Sequence, residues 1–274
     1  MDKQSAPIGI FDSGLGGLCA VAEFIKRLPH ENMVYFGDTA RVPYGTRSEE
    51  IVVRYAEQDM AFLMTKKVKA VVVACGTVSS TALPVLKKKY DVPIFDVIAP
   101  SVRAALKASR NHRIAVIGTS VSIQSGAYQK ALLDSDENIS VTAAACPLFI
   151  PLVENGFIEP DNEVTTLVAR QYLKPIAESG ADTLILGCTH FPLIRSIIAR
   201  VLPGVHLIDT GAEAIAALAE FLKEYHMGNA SSGVGKREFF VSDKPQNFSA
   251  MASSMLGGHE YIDAEKVETD AFSD

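Results

Sequence analysis

The sequence predicts an α/β protein of two similar, pseudo-twofold-related lobes, each a doubly wound parallel sheet, with an active site in the cleft between them. Two observations support this prediction. Short apolar runs alternate with helical patterns, and one strand–cysteine–helix–strand unit occurs twice. Such alternation is typical of parallel sheets covered by helices. Ligands bind beyond the carboxyl ends of such strands, so residues that follow strands are the candidates for function.

Eight short runs are predicted as strands, and most are continuously apolar, as parallel strands buried on both faces are. They are 8–11, 33–36, 70–74, 94–97, 114–117, 141–144, 183–186 and 206–208. Helical patterns lie between them, including 48–64, 98–108, 161–178 and 212–225. After the linker-like residues 228–235, residues 237–242 predict a further strand, and the polar end from residue 268 is expected to fray.

The repeat aligns the strand ending at Cys75 with the strand ending at Cys188, at an offset of 113 residues. Each cysteine is followed 21 residues later by an aspartate, Asp96 or Asp209, which we predict to cap a helix. A weaker match pairs the strand at residue 8 with the strand at residue 114. A pseudo-twofold axis would point the two thiols at each other across the cleft.

The repeat also suggests how the chain divides. We predict that lobe 1 comprises residues 1–97 and 208–274 and carries Cys75. Lobe 2 would then comprise residues 98–207 and carry Cys188.

Composition disfavours several classes of function. The 274 residues carry a formal net charge of −6, whereas nucleic-acid binding needs an excess of Lys and Arg. The apolar runs are far shorter than the ~20 residues of a membrane span, so no membrane partner is expected. Four cysteines without a C-x-x-C pair, and a start without a signal peptide, predict a reduced, cytoplasmic protein.

Two facing thiols can invert a stereocentre. One thiolate removes the α-proton, and the opposite thiol returns a proton to the other face of the carbon. Three alternatives stay open: packing of buried cysteines, a disulfide redox pair, and a metal site at Cys188 and His190. The redox pair lacks a C-x-x-C motif and the metal site lacks further ligands, so we expect no metal.

Five further motifs carry a resemblance to a known family. They are FDSGLGG at 11–17, FGD at 36–38, PYG at 43–45, PLVENG at 151–156 and GCTHFP at 187–192. Together with the two cysteines, they make residues 8–256 resemble the cofactor-independent glutamate racemases of the aspartate/glutamate racemase superfamily. The GCTHFP string separates the chain from aspartate racemases.

The resemblance implies a homodimer that interconverts L- and D-glutamate without a cofactor, supplying D-glutamate for peptidoglycan. It implies Cys75 and Cys188 as acid and base, with Asp12 on the Cys75 side and Glu154 and His190 on the Cys188 side. The substrate contacts that it implies are Asp12, Ser13, Pro43, Tyr44, Gly45, Gly76, Thr77, Thr119, Thr189 and His190.

Several of these residues also have purely structural interpretations. Residues 12–14 follow a strand and open a helix, where N–H groups bind a carboxylate, but they could form a plain tight turn. Tyr44 and His190 could be packed side chains, and Glu154 could be a solvated loop charge. Cys19 and Cys146 match no catalytic position, and we predict that they pack.

One position departs from the family pattern. Family members commonly carry asparagine after the first cysteine, where this chain has Gly76. Glycine offers only a backbone N–H there, which leaves affinity and specificity open. Two alternatives therefore remain: a racemase for another amino acid such as aspartate, and a two-lobed binding or regulatory protein that has lost catalysis.

Overall fold

The structure, a computed structural model, describes residues 4–256 and 262–272. Its strands are β1 (Ile8–Asp12), β2 (Met33–Gly37), β3 (Ala70–Val73), β4 (Ile94–Phe95), β5 (Arg113–Gly118), β6 (Ser140–Ala145), β7 (Thr183–Leu186), β8 (His206–Asp209), β9 (Arg237–Val241) and β10 (Ala264–Lys266). Its α-helices are α1 (Leu18–Arg27), α2 (Glu49–Thr65), α3 (Gly76–Thr81), α4 (Leu83–Lys89), α5 (Ile98–Ala108), α6 (Ser120–Gln124), α7 (Ala127–Ser135), α8 (Phe149–Glu154), α9 (Glu163–Ser179), α10 (Arg195–Val201), α11 (Thr210–Glu224) and α12 (Pro245–Met255).

The strands form two parallel sheets, which confirms the predicted fold class. Lobe 1 is built on the order β10-β9-β2-β1-β3-β4, and lobe 2 on the order β6-β5-β7-β8. The order of lobe 2 reproduces the β2-β1-β3-β4 part of lobe 1. The register agrees as well, because Ile8 lies opposite Ala70 and its equivalent Ile114 lies opposite Thr183. The sequence repeat is thus a structural repeat.

Two helices, α5 and α11, begin at the capping aspartates that the repeat predicts. Asp209 accepts a hydrogen bond from the Ala212 N–H at the start of α11, at 3.1 Å. Asp96 accepts from the N–H groups of Ile98 and Ala99 at the start of α5, at 2.8 and 2.9 Å. Both predicted caps are confirmed, and their equivalent places in the two copies follow from the repeat.

The chain leaves lobe 2 after β8, the strand that pairs with β7 in that lobe. Helix α11 follows directly and packs against α1 of lobe 1. The chain therefore returns to lobe 1 at the end of β8. The boundaries at residues 97/98 and 207/208 stay a prediction.

The end of the chain is more ordered than its composition suggested. A 3₁₀ turn, Thr269–Phe272, packs on lobe 1, with the Phe272 ring centroid 5.7 Å from that of Phe62. The expectation that residues from 268 onward fray is therefore wrong for 269–272, while 273 and 274 lie outside the described residues. Within the described ranges, no helix is long and apolar enough to cross a membrane.

A buried ion pair ties lobe 1 together at the end opposite the carboxyl ends of the strands. Lys69 and Glu31 lie 2.7 Å apart, with side chains only 3% and 5% exposed. The Lys69 ammonium also donates to the backbone carbonyls of Gln4 and Met227, at 2.5 and 2.8 Å. One side chain thus joins the start of the chain, the β1–β2 connection and the segment after α11.

Lys69→Met should destabilise the protein by about 3–5 kcal/mol, because it leaves the buried Glu31 carboxylate without its cation. The matched control is Lys130→Met, which breaks the Lys130–Asp134 pair on an exposed helix face. That change should cost at most about 0.5 kcal/mol. Urea unfolding measures the free energy of unfolding of the two variants. Equal losses of stability would contradict a special role for the buried pair.

Candidate active site

The two cysteines occupy equivalent places at the carboxyl ends of β3 and β7. Cys75 links β3 to α3, and Cys188 follows β7 by one residue. Both are buried, with exposed fractions of 4% and 5%. Both line one cavity between the lobes, together with Ser13, Val42, Pro43, Tyr44, Gly45, Gly76, Thr77, Thr119, Ile150, Glu154, Thr189 and His190.

This list contains every residue that the resemblance placed in the site except Asp12, which lies buried beneath it. The cavity is narrow, about 20 Å³, room for about one ordered water. In this closed arrangement, a larger ligand fits only if the cavity walls move apart.

On the Cys75 side, the thiol donates a hydrogen bond to the Ser13 hydroxyl at 3.5 Å. Burial, and then the negative charge of Asp12, raise the pKa of the Cys75 thiol to about 12, although the bond to Ser13 acts in the opposite direction. Cys75 therefore stays protonated at neutral pH in the closed state.

The Cys188 side carries an imidazole. His190 Nδ1 lies 3.8 Å from Cys188 Sγ, and its Nε2 lies 3.2 Å from Glu154 Oε1. Burial alone would lower the pKa of His190, but its hydrogen bonds to Cys188 and Glu154 raise the pKa to about 10, from an ordinary 6.5. The imidazole of His190 is therefore charged at neutral pH and lies beside the Cys188 thiol.

Asp12 is fully buried at the end of β1. Its Oδ2 accepts hydrogen bonds from the N–H groups of Gly14 and Gly17, both at 3.0 Å. Its Oδ1 accepts from the Thr189 hydroxyl of lobe 2 at 3.3 Å. The carboxylate thus shapes the turn before α1 and also bridges the two lobes.

Tyr44 lines the cavity, and its hydroxyl bonds to two carboxylates of lobe 1. The hydroxyl donates to Asp38 and lies 3.1 Å from Asp59, and Arg41 bonds to both carboxylates at 2.6 and 3.1 Å. Burial and the two carboxylates raise the pKa of Tyr44 well above its usual value. This buried network holds the Pro43–Gly45 segment against the cavity.

Hydroxyl groups also form a second hydrogen-bonded link across the cleft. The Thr77 and Thr119 hydroxyls are 3.1 Å apart, and Thr119 donates onward to Ser122 at 2.9 Å. Thr119 also caps α6 through the Ser122 N–H at 3.1 Å. These side chains provide polar groups on both walls of the cavity.

Gly76 leaves no room for a side chain. A Cβ atom there would overlap the carbonyl oxygen of Gly187, the residue before Cys188. The two chain segments that carry the cysteines therefore touch through their backbones. An asparagine, usual in the resembling family, has no space at residue 76 in this closed arrangement.

Two residues that the sequence did not predict also line the cavity, Val42 and Ile150. Both adjoin motifs, PYG and PLVENG, but apolar side chains carry no chemical signal of their own. Cys146 is fully buried in the core of lobe 2, and its packing role is confirmed. Cys19 is half-buried on α1 and does not line the cavity. Among residues 4–256 and 262–272, no three His, Cys, Asp or Glu side chains are grouped to hold a metal ion.

Comparisons with known proteins agree over nearly the whole chain. A glutamate racemase of Geobacter metallireducens is 45% identical over 252 residues, covering 92% of this chain and 93% of its own length. The crystal structure of Francisella tularensis glutamate racemase in complex with D-glutamate matches with a TM-score of 0.90 at 34% identity, over 98% of this chain and 99% of that one. The Thermus thermophilus glutamate racemase in complex with β-chloro-D-alanine matches with a TM-score of 0.86 at 41% identity, over 97% and 98% of the two chains.

The Asp/Glu/Hydantoin racemase profile matches residues 20–218, most of the chain. That match, with relatives of this identity and coverage, places the chain in a family: it belongs to the Asp/Glu/Hydantoin racemases.

Proposed function

We propose that the protein interconverts L- and D-glutamate by a two-thiol acid/base mechanism that uses no cofactor. One observation carries the proposal: two buried cysteines at equivalent strand ends line a single narrow cavity between the lobes. The choice of glutamate is supported by the named relatives, among them one whose structure was determined with D-glutamate.

In the proposed reaction, a thiolate takes the α-proton, which breaks the C–H bond and leaves the electron pair on the α-carbon. The opposite thiol donates its proton to the other face and becomes the thiolate. Cys188, which lies beside His190, is the proposed base for one direction, and Cys75, hydrogen-bonded to Ser13, is the proposed acid. After one turnover the two roles are exchanged, and the same pair catalyses the reverse direction.

The negative charge that develops on the substrate is stabilised by fixed dipoles in a closed, water-poor cavity. The hydroxyls of Thr77, Thr119 and Thr189 line its walls. They and the Gly76 N–H are the proposed donors to the substrate carboxylates. Pro43, Tyr44 and Gly45 contribute through their backbones.

The proposal extends to the cellular role. We place the protein in the cytoplasm as a homodimer that supplies D-glutamate for peptidoglycan. This part rests on the family resemblance, and the free state of the four cysteines is consistent with a reducing compartment.

The direct test follows the circular dichroism of L-glutamate incubated with the purified, reduced protein and no added cofactor. We expect the signal to decay to zero as D-glutamate forms. A parallel incubation with L-aspartate tests the alternative left open by Gly76, which has no side chain to read substrate length. Decay with aspartate alone would reassign the substrate. A constant signal with both amino acids, from folded protein, would contradict the proposed function.

Replacing either thiol should abolish racemisation. Cys75→Ala and Cys188→Ala each remove one of the two proton carriers, and we expect losses of about 10²–10⁴-fold or more in kcat. Cys19→Ala, which replaces a cysteine outside the cavity, is the matched control and should retain activity. The two-base assignment is wrong if either cavity variant racemises glutamate at the control rate.

A charged His190 makes stability depend on pH. Its pKa is about 10 in the folded protein against an ordinary 6.5. Its contribution to the free energy of unfolding is therefore complete below pH 6.5 and is lost as the pH rises toward 10. Glu154→Gln removes one of the groups that raise this pKa. The loss of stability in this variant should be largest near about pH 6 and should shrink at higher pH.

Urea unfolding across this pH range measures the difference between Glu154→Gln and the unmodified protein. Glu159→Gln, at an exposed position of the segment that follows α8, is the control, and its curve should run parallel to that of the unmodified protein. A difference that stays constant or grows with pH would show that Glu154 does not support a charged imidazole.

A further inference from the structure

Three glycines of lobe 1 stand directly against lobe 2. Gly16 follows β1, Gly45 follows β2, and Gly76 follows β3. None of the three has a positive φ, so backbone conformation does not require glycine at these positions. What each lacks is space for a Cβ atom, and in each case the obstacle belongs to the other lobe.

The contact at Gly76 joins the two chain segments that carry the thiols. Gly76 follows Cys75, and a Cβ atom at Gly76 would overlap the carbonyl oxygen of Gly187, which precedes Cys188. The spacing of these two backbones therefore sets how close the cysteine-bearing segments come.

The other two contacts each lie beside a hydrogen bond between the lobes. A Cβ atom at Gly45 would lie 2.6 Å from Thr119 Cβ, and the Thr119 hydroxyl bonds to Thr77 at 3.1 Å.

The contact at Gly16 repeats this arrangement on the other side of the cavity. A Cβ atom at Gly16 would overlap Thr189 Oγ1 and lie 2.8 Å from His190 Nδ1. The same Thr189 hydroxyl donates to Asp12 at 3.3 Å. Both hydrogen bonds form across the cleft only because a glycine lets the lobes meet.

We propose that Gly16, Gly45 and Gly76, the closure glycines, set the separation of the two lobes and thereby the distance between the Cys75 and Cys188 thiols. They are positioning residues, since they act through the backbone spacing of the groups that react. The consequence for catalysis rests on the proposed two-thiol function, but the mechanical role does not. A methyl group at any of them holds the lobes apart.

At two other glycines a Cβ atom would also overlap its neighbours, but these neighbours belong to the same lobe. At Gly17 and Gly37, the atoms that a Cβ would meet belong to lobe 1 itself, namely Asp12 and Tyr35 at Gly17 and Gly14 at Gly37. Substitution there disturbs packing within one lobe. Only contacts across the cleft couple the absence of a side chain to lobe separation.

The test measures exposure of the thiols in Gly76→Ala and Gly45→Ala without any ligand. In the unmodified protein both cavity cysteines are about as buried as core residues, so iodoacetamide should alkylate them slowly. A methyl group that separates the lobes should increase the alkylation rates of Cys75 and Cys188 several-fold. Mass spectrometry of the peptides that contain each cysteine measures these rates separately. A 1 Å displacement of reacting groups costs about 10²-fold, so kcat for glutamate should fall by up to that factor.

Two internal controls make the outcome decisive. Gly228→Ala adds a methyl group far from the cleft, where the nearest atom, Glu31 Oε1, is 3.7 Å away, and it should alter neither readout. Cys146, fully buried in lobe 2, reports unfolding, because its alkylation rises only if the lobe opens as a whole. If Gly76→Ala unfolds by this criterion, Gly45→Ala, in the 3₁₀ turn Tyr44–Thr46 rather than at the start of an α-helix, decides the case.

Unchanged alkylation of Cys75 and Cys188 in folded Gly76→Ala and Gly45→Ala would overturn the proposal. Because alkylation needs no turnover, this failure is distinct from a failure to racemise glutamate. Faster alkylation together with reduced kcat supports both the closure role and its catalytic consequence. Faster alkylation in a protein inactive on every substrate would keep the closure role and reject the proposed function.

Discussion

Removal of both thiols from water is the constraint on which the rest of the site depends. Burial raises the pKa of Cys75 to about 12, so this thiol does not ionise unaided. On the other side, hydrogen bonds to Cys188 and Glu154 raise the pKa of His190 to about 10, which keeps the imidazole charged beside Cys188. The same exclusion of water would protect the carbanion-like state of the proposed reaction and strengthen every dipole aimed at it. The cavity between the two lobes, with room for about one ordered water, meets this need.

Duplication supplies the scaffold for a reaction that has to run in both directions. The shared strand order places the cysteines at equivalent points, and the offset of 113 residues that relates them also aligns Thr77 with His190. The side chains around the thiols are nevertheless different, a hydroxyl beside Cys75 and an imidazole beside Cys188. This difference suits the proposed two-base reaction, which begins with one thiolate and one thiol. Backbone symmetry provides two faces, and the side chains beside the thiols distinguish them.

The structural features that could be predicted are those that depend on the local pattern of residues in the sequence. Continuous apolar runs predict the parallel strands, and strand ends predict where Cys75 and Cys188 lie. The sequence carried no such pattern for contacts between residues that are distant along the chain. The partner of the Tyr44 hydroxyl, Asp59, lies on α2, and Phe272 packs on a ring more than two hundred residues earlier. Tertiary packing decides such contacts, and neither periodicity nor composition encodes it.

Gly76 shows how a departure from a family pattern acquires meaning only in three dimensions. In the sequence it looks like the loss of one amide that could hold substrate. In the structure, the missing side chain is also what lets the backbone of Gly76 reach the carbonyl of Gly187. The Cβ atom of an asparagine at this position would overlap that carbonyl in the closed arrangement. In the proposed reaction, substrate recognition comes instead from the Gly76 backbone N–H and from the hydroxyls of the cavity walls. Under the proposed closure, the contact that brings the two cysteine-bearing segments together also assembles these donors.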